Sequence, residues 1–234
     1  MLSVKGLELS YGDKKIFDRF DLEVGDGEVV CILGRSGCGK TSLLNCIAGA
    51  LAHGGEVNGT ERGVAYLFQE TRLIPALTAA ENVRFAVGHL YADRAALNAE
   101  IDRVFSSLGI DGLQNRLPGK MSGGQAARVA LARALCHPSD VLLTDEPFGA
   151  LDVALKLSLT EYLISALKAR PRTVLMVSHG IDECFDLADR ILVLGGSPCR
   201  ILYETNIDEP RGERADIAHR AQKTAEIKRA LTAD

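Results

Sequence analysis

VVCILGRSGCGKTS, residues Val29–Ser42, decides the fold. The opening VVCIL is a continuous apolar run of the kind a strand shows when both faces of its sheet are covered. LLNCIAGAL (Leu43–Leu51) follows with the texture of a mostly apolar helix. Between them Gly34, Gly37 and Gly39 crowd a turn that ends on Lys40, Thr41 and Ser42, matching G-x-x-x-x-G-K-[ST]. Glycines there let the backbone turn tightly and aim successive N–H groups inward, where unpaired helix-start amides and the helix dipole favour an anion. Lys40 adds a mobile cation for the β and γ phosphates of a nucleotide, Thr41 is a hydroxyl ligand for Mg²⁺, and Ser42 a donor to the α phosphate. The same letters also suit an ordinary glycine-rich turn with an exposed lysine, and the rest of the chain has to decide.

VLLTDEP (Val141–Pro147) is a second buried run, and it ends on adjacent acids. At the carboxyl end of a parallel strand, where open α/β sheets bind their ligands, Asp145 is placed to hold Mg²⁺ and Glu146 to polarise an attacking water. Alone, the pair reads equally as solvated acids opening a loop. TVLMVS (Thr173–Ser178) and RILVL (Arg190–Leu194) repeat the strand texture. The amphipathic LKLSLTEYLISALKA (Leu155–Ala169) is a helix ended by Arg170-Pro171. Strand, helix, strand of this kind predicts a mainly parallel sheet with right-handed crossovers.

The remaining segments are of three kinds. Residues 2–9 and 16–24 alternate loosely, as half-exposed antiparallel strands do, and EVNG (Glu56–Gly59) reads as a hairpin turn before the strand VAYLF (Val64–Phe68). From 73 to 137 the β-branched runs give way to helical spacing in ALNAEIDRVFSSL (Ala96–Leu108) and QAARVALARAL (Gln125–Leu135). MSGGQ (Met121–Gln125) opens the latter with Ser122 as an N-cap and two glycines, a cap and turn that is also physically a second anion site. A charged tail from Glu209 is predicted helical over Ile217–Leu231. The expected organisation is one domain. Residues 1–72 and 138–208 form an α/β core with an antiparallel β subdomain, 73–137 a helical subdomain, and 209–234 a helical tail.

A chain of 234 residues that is 47% hydrophobic can bury a sizeable core. Its formal net charge of −4 argues against binding nucleic acid through a broad basic field. No apolar run approaches the roughly 18–20 residues that span a bilayer, and MLSVKGLELS lacks a signal-peptide core. The six cysteines, at 31, 38, 46, 136, 184 and 199, include no C-x-x-C, so buried free thiols are expected rather than zinc or disulfides.

Taken in order, these elements resemble the ATP-binding-cassette (ABC) ATPases with an α/β P-loop NTPase core. The resemblance runs over essentially the whole chain: an aromatic A-loop at Tyr11, the Walker A at 34–42, the Q-loop at Gln69, the signature at 121–125, the Walker B at 141–146, GALD (Gly149–Asp152) as D-loop, and the switch His179. It implies Mg-dependent ATP hydrolysis. Tyr11 would stack on adenine, and Gly34, Arg35, Ser36, Gly37, Cys38, Gly39, Lys40, Thr41 and Ser42 would cradle the phosphates. Thr41, Gln69 and Asp145 would hold Mg²⁺, with Glu146, His179 and Lys40 catalytic. Ser122, Gly123, Gly124 and Gln125 would close on ATP bound to a second ATPase subunit, most simply another copy. Asp152 stays open, since GALD could simply cap the next helix. Departures from the family pattern include Ala126 and Ala127 after the signature, Thr144 before the acids and Gly180 after His179.

LIPALTAAENV (Leu73–Val83), PFGALD (Pro147–Asp152) and ILVLGGSPCRI (Ile191–Ile201) are similar to ATPases of the nitrate, sulfonate, taurine and thiamine-precursor importers. That implies membrane permease subunits, an extracytoplasmic solute-binding protein and a peripheral place on the cytoplasmic face of the cell membrane. An ending at 234 leaves no room for the C-terminal regulatory domain of some other importer ATPases. The competing class is an ABC ATPase acting on DNA or ribosomes, which the short spacing from Lys40 to Ser122 and the single cassette disfavour. An exporter ATPase is the third reading.

Overall fold

The chain opens with β1 (Leu2–Tyr11) and β2 (Lys14–Val24), an antiparallel pair whose register runs from Leu2 opposite Val24 to Tyr11 opposite Lys14. β3 (Val29–Gly34) follows with all six residues buried and leads through the glycine turn into α1 (Lys40–Ile47). The computed structural model describes residues 1–149, 151–211 and 217–232.

The expected hairpin at 56–59 does not form. Glu56–Asn58 lies inside β4 (Gly54–Asn58), which pairs antiparallel with β1, while β5 (Ala65–Leu67) belongs to the other sheet. The cause is a close backbone approach. A Cβ on Gly55, at φ +81°, would stand 2.3 Å from the carbonyl oxygen of Gly6, so glycine lets this segment lie against β1.

Three helices come next: α2 (Ala79–Val87), α3 (Arg94–Ser107) and α4 (Gly123–Leu135). Thr78 caps α2 in a reciprocal capping box with Glu81, and Asp93 caps α3 through the amides of Ala95 and Ala96. Buried Asn82 accepts from the Ile74 amide and donates to the carbonyls of Ile74, Leu77 and Thr78, which fixes LIPALT against α2.

The chain then returns to the core with β6 (Val141–Asp145), α5 (Val153–Ala169), β7 (Thr173–Val177), α6 (Ile181–Leu187), β8 (Arg190–Gly195), β9 (Arg200–Asn206) and α7 (Ile217–Thr232). The larger sheet has the order β5-β6-β7-β3-β8-β9; every pairing is parallel except β8 with β9. Alternate side chains of β3 go to opposite faces. Val29, Cys31 and Leu33 join the core beneath α2–α6, whereas Val30 and Ile32 join the one shared by α1, β1 and β2. The glycine turn thus leaves the centre of a sheet covered on both faces.

The cysteine expectation is corrected at one pair, because Cys31 of β3 and Cys184 of α6 are joined by a disulfide, 153 residues apart in sequence with Cα atoms 5.6 Å apart. Packing of α6 on β3 brings the two within bonding range, which sequence spacing does not express. Cys38, Cys46, Cys136 and Cys199 are not in disulfides.

Candidate nucleotide-binding and hydrolysis site

The turn after β3 is seated on the antiparallel sheet. Gly39 has φ +115°, and a Cβ there would come within 2.8 Å of Ile16 Cγ2 and 3.0 Å of Phe17 Cζ, so a side chain would lift the loop from its base. Gly39 is also the N-cap of α1 and provides no side-chain acceptor, which leaves the first helix amides available to a ligand. Lys40 is 5% exposed, and its Nζ donates to the carbonyls of Gly34 at 2.7 Å and Arg35 at 3.0 Å. The loop thus holds its own cation at its centre.

β6 delivers the acids. Thr41 Oγ1 donates to Asp145 Oδ1 at 3.2 Å, and burial, with the charge of Glu146 adding to it, pushes the Asp145 carboxyl above its usual range. A half-buried carboxylate beside a hydroxyl is a hard oxygen pair suited to Mg²⁺. Glu146 sits at φ +48°, a sparsely populated region for a non-glycine residue, and its N–H donates to the Val177 carbonyl at 2.9 Å. That backbone aims its carboxylate at the switch residue, with Glu146 Oε1 2.7 Å from His179 Nε2.

Tyr11, Lys14, Ile16, Ser36, Gly37, Gly39, Lys40, Thr41, Ser42, Glu146 and His179 together line an open cavity of about 450 Å³. Tyr11 is half exposed at its mouth, its hydroxyl 3.4 Å from Ser42 Oγ. Arg35 is exposed on the loop, and Cys38 lies half-buried beneath it.

Other sequence candidates stand elsewhere. Gln69 lines a separate cleft of about 520 Å³ with Gly123, Phe148 and Leu151. Its Nε2 is 3.6 Å from where a Cβ on Gly149 would be, as is Glu146 Oε2. Ser122 caps α4, accepting from the Gln125 amide at 3.2 Å, while Gln125 Oε1 accepts from the Ser122 amide at 3.1 Å. Gln125 is thereby committed to its own helix start. Gly123 and Gly124 occupy the first helical positions, where amides have no intrahelical acceptor. None of these four lines the 450 Å³ cavity. Asp152 caps α5 through the Leu155 amide at 3.0 Å, the local role that GALD allowed.

Three residues that bear on the site escape a motif reading. Glu183, only 5% exposed, accepts from the Ser178 hydroxyl and pairs with Lys156 of α5. Ser178 Oγ in turn accepts from the Gly180 amide at 2.9 Å. The loop carrying His179 is therefore pinned from both sides, and Gly180, which has no side chain to cap α6, is compensated by this network. The available signal was a lysine one helical turn beyond Asp152 and a glutamate in the first turn after His179, and neither is distinctive alone.

The comparisons with known proteins agree with this geometry. The model of the ABC transporter family matches residues 17–149. The chain belongs to the ABC transporter family. As an ABC ATPase it is 37% identical to the aliphatic sulfonates import ATP-binding protein SsuB 1 of Xanthomonas axonopodis pv. citri (strain 306), over 94% of this chain and 92% of that one. It is 40% identical to SsuB 3 of Paraburkholderia xenovorans (strain LB400), over 92% and 85%. Among solved ABC structures, the dimeric bacterial cassette MJ0796 superposes with a TM-score of 0.77 at 27% identity, covering 90% of this chain and all of that one. A post-hydrolysis dimer of the same cassette bound to ADP and Pi gives 0.77 at 26%. The α/β P-loop ATPase fold and the ATP-binding assignment follow from family membership.

Proposed function

We propose that this ABC ATPase is the nucleotide-binding subunit of an importer, using ATP-driven closure of two such subunits and hydrolysis to work a membrane permease. The relatives named for aliphatic sulfonate import support the importer reading, and aliphatic sulfonates are the first solutes to test. Among the described residues no helix is long and apolar enough to cross a membrane, which accords with a peripheral subunit beside a separate permease. A groove of about 310 Å³ lined by Phe68, Arg72, Ile74, Phe85 and Arg133 suits a permease segment, and Phe85 is 71% exposed there. The solute-binding protein belongs to the same proposal.

In the chemistry we assign, the amides from Arg35 to Ser42 and the ammonium of Lys40 hold the triphosphate, with Tyr11 stacked on adenine. Thr41 and Asp145 would hold Mg²⁺, with Gln69 as the further ligand. A metal held there would supply charge neutralisation for phosphoryl transfer. Glu146 takes the proton of the attacking water, and His179 orients Glu146 and contacts the γ phosphate. Ser122, Gly123 and Gly124 complete the site of the second copy, a reading supported by their lying outside this chain's own cavity.

The observation that carries the hydrolysis reading is Glu146, aimed across the phosphate loop by a left-handed backbone and held by His179. Glu146→Gln should lower kcat by about 10²–10⁴ while ATP still binds and closed dimers accumulate. Turnover at the wild-type rate would move the base elsewhere. Co-purification with detergent-solubilised permease supports the importer, whereas ribosomes or DNA would favour the non-transport class and outward solute movement an exporter.

A further inference from the structure

Cys38 and Cys199, far apart in sequence, meet beneath the phosphate loop. Sheet register places Cys199 there, and the approach of the Cys38 sulfur to Gly34 places its partner. Gly34 pairs with Leu194, and on the next strand Leu194 pairs with Ile201 and Gly195 with Arg200, so Cys199 is the residue just outside the last pair of the β8–β9 hairpin. A Cβ on Gly34 would stand 2.5 Å from the Leu194 carbonyl oxygen and 3.0 Å from Cys38 Sγ, so the Cys38 sulfur lies over that same Gly34 and Leu194 position. Both cysteines pack in the apolar cluster under the loop, and the Cys199 amide is held to the Ile16 carbonyl at 2.7 Å. Ile16 is also the side chain on which Gly39 rests.

The two thiols differ as an attacking and a resolving pair should. Cys38 is half-buried and reachable, whereas Cys199 is 5% exposed. A hydrogen bond from Cys199, with help from the charge of Lys40, holds the Cys38 thiol down to about 6 against the opposing effect of burial. Burial instead pushes Cys46 up to about 11 and Cys136 up to about 12, which leaves those thiols protonated and inert.

We propose that Cys38 and Cys199 form a reversible oxidation site that closes to a disulfide by exchange with a low-molecular-weight disulfide such as oxidised glutathione, and that this bond disables the phosphate loop. The Cys38 thiolate attacks one sulfur of the small disulfide, forming a mixed disulfide and expelling one thiolate. Cys199 then loses its proton to solvent, attacks Cys38 Sγ and expels the second thiolate. Two protein thiols are oxidised and one small disulfide is reduced to two thiols. The bond draws the loop between Gly37 and Gly39 toward the hairpin, so the amide of Cys38 no longer converges with its neighbours. The consequence for nucleotide rests on reading the loop as an ATP cradle, whereas the thiol pairing does not. Because linkage is reciprocal, bound Mg-ATP should in turn disfavour the disulfide.

The test uses the full-length protein with oxidised glutathione. A non-reducing tryptic map should recover peptide Ser36–Lys40 joined to peptide Ile191–Arg200. ATP affinity should fall by about tenfold or more, recover with dithiothreitol, and the linking should slow in saturating Mg-ATP. Cys199→Ala should bind ATP normally when reduced and, once oxidised, carry glutathione on Cys38 with no crosslink. Recovery of wild-type Cys38 only free or as its glutathione adduct overturns the pairing. A crosslink that leaves ATP affinity unchanged overturns the control of the loop. A crosslink in a protein that binds no ATP when reduced overturns the cradle reading and leaves the thiol pair standing.

Discussion

The phosphate loop and the signature segment are both glycine-rich helix starts, yet they are built in opposite ways. The loop grows from a fully buried central strand, rests on Ile16 and Phe17 through Gly39, and carries a nearly buried lysine. The signature begins a helix of the outlying lobe, with Ser122 and Gly123 exposed and held by contacts within the first turn. One is anchored in the sheet; the other is finished locally. On the proposed function, that difference is what would let a single chain carry two half-sites instead of one whole site.

Substitutions on either side sharpen or break that contrast. Ser122→Arg should cost the largest factor, lowering kcat by about 10²–10³ as expected when a transition-state donor is lost, while ATP binding to the isolated chain stays unchanged. Loss of that monomer binding would mean the segment serves its own chain. Lys40→Ala should weaken ATP binding by about 10- to 100-fold, the worth of hydrogen bonds to a charged group, and titration with a fluorescent nucleotide measures it directly.

Smaller effects are expected where the two halves are braced. Lys156→Met removes the partner of buried Glu183 and should lower kcat by about tenfold with little change in KM, because it acts on the seating of His179 and not on the phosphates. Lys156→Arg should restore the rate; a loss of kcat that merely tracks a lower Tm would reduce the pair to a structural role. Smallest of all, the buried Thr144 hydroxyl has no hydrogen-bond partner among the described residues. Thr144→Val should therefore raise stability by about 1 kcal/mol in urea denaturation without altering turnover.

Most of the architecture was legible because it rests on patterns the chain spells locally. The continuous runs at Val29, Val141, Thr173 and Arg190 are all strands of one sheet, and the helices expected around Ala96 and Gln125 are α3 and α4. The hairpin at Glu56 failed because a Gly-rich strand reads like a turn until its partner, β1, is known. The Cys31–Cys184 bond was invisible for the same reason, since helix packing on a strand has no sequence period. Within the site, Lys40, Thr41, Asp145 and Glu146 were found from spacing and His179 from the family resemblance, and the structure brings them to one place. The Lys156–Glu183 brace was not, because an ion pair between two helices leaves no mark on either one.

Helix α4 carries Ser122 at its head and Arg133 in its last turn, and Arg133 donates to the carbonyls of Thr71 and Arg72 at 2.9 Å each. Its 13 residues make a rod about 20 Å long. Helix α4 thus ties the segment just past Gln69 to the helix start at Ser122 through one rigid element.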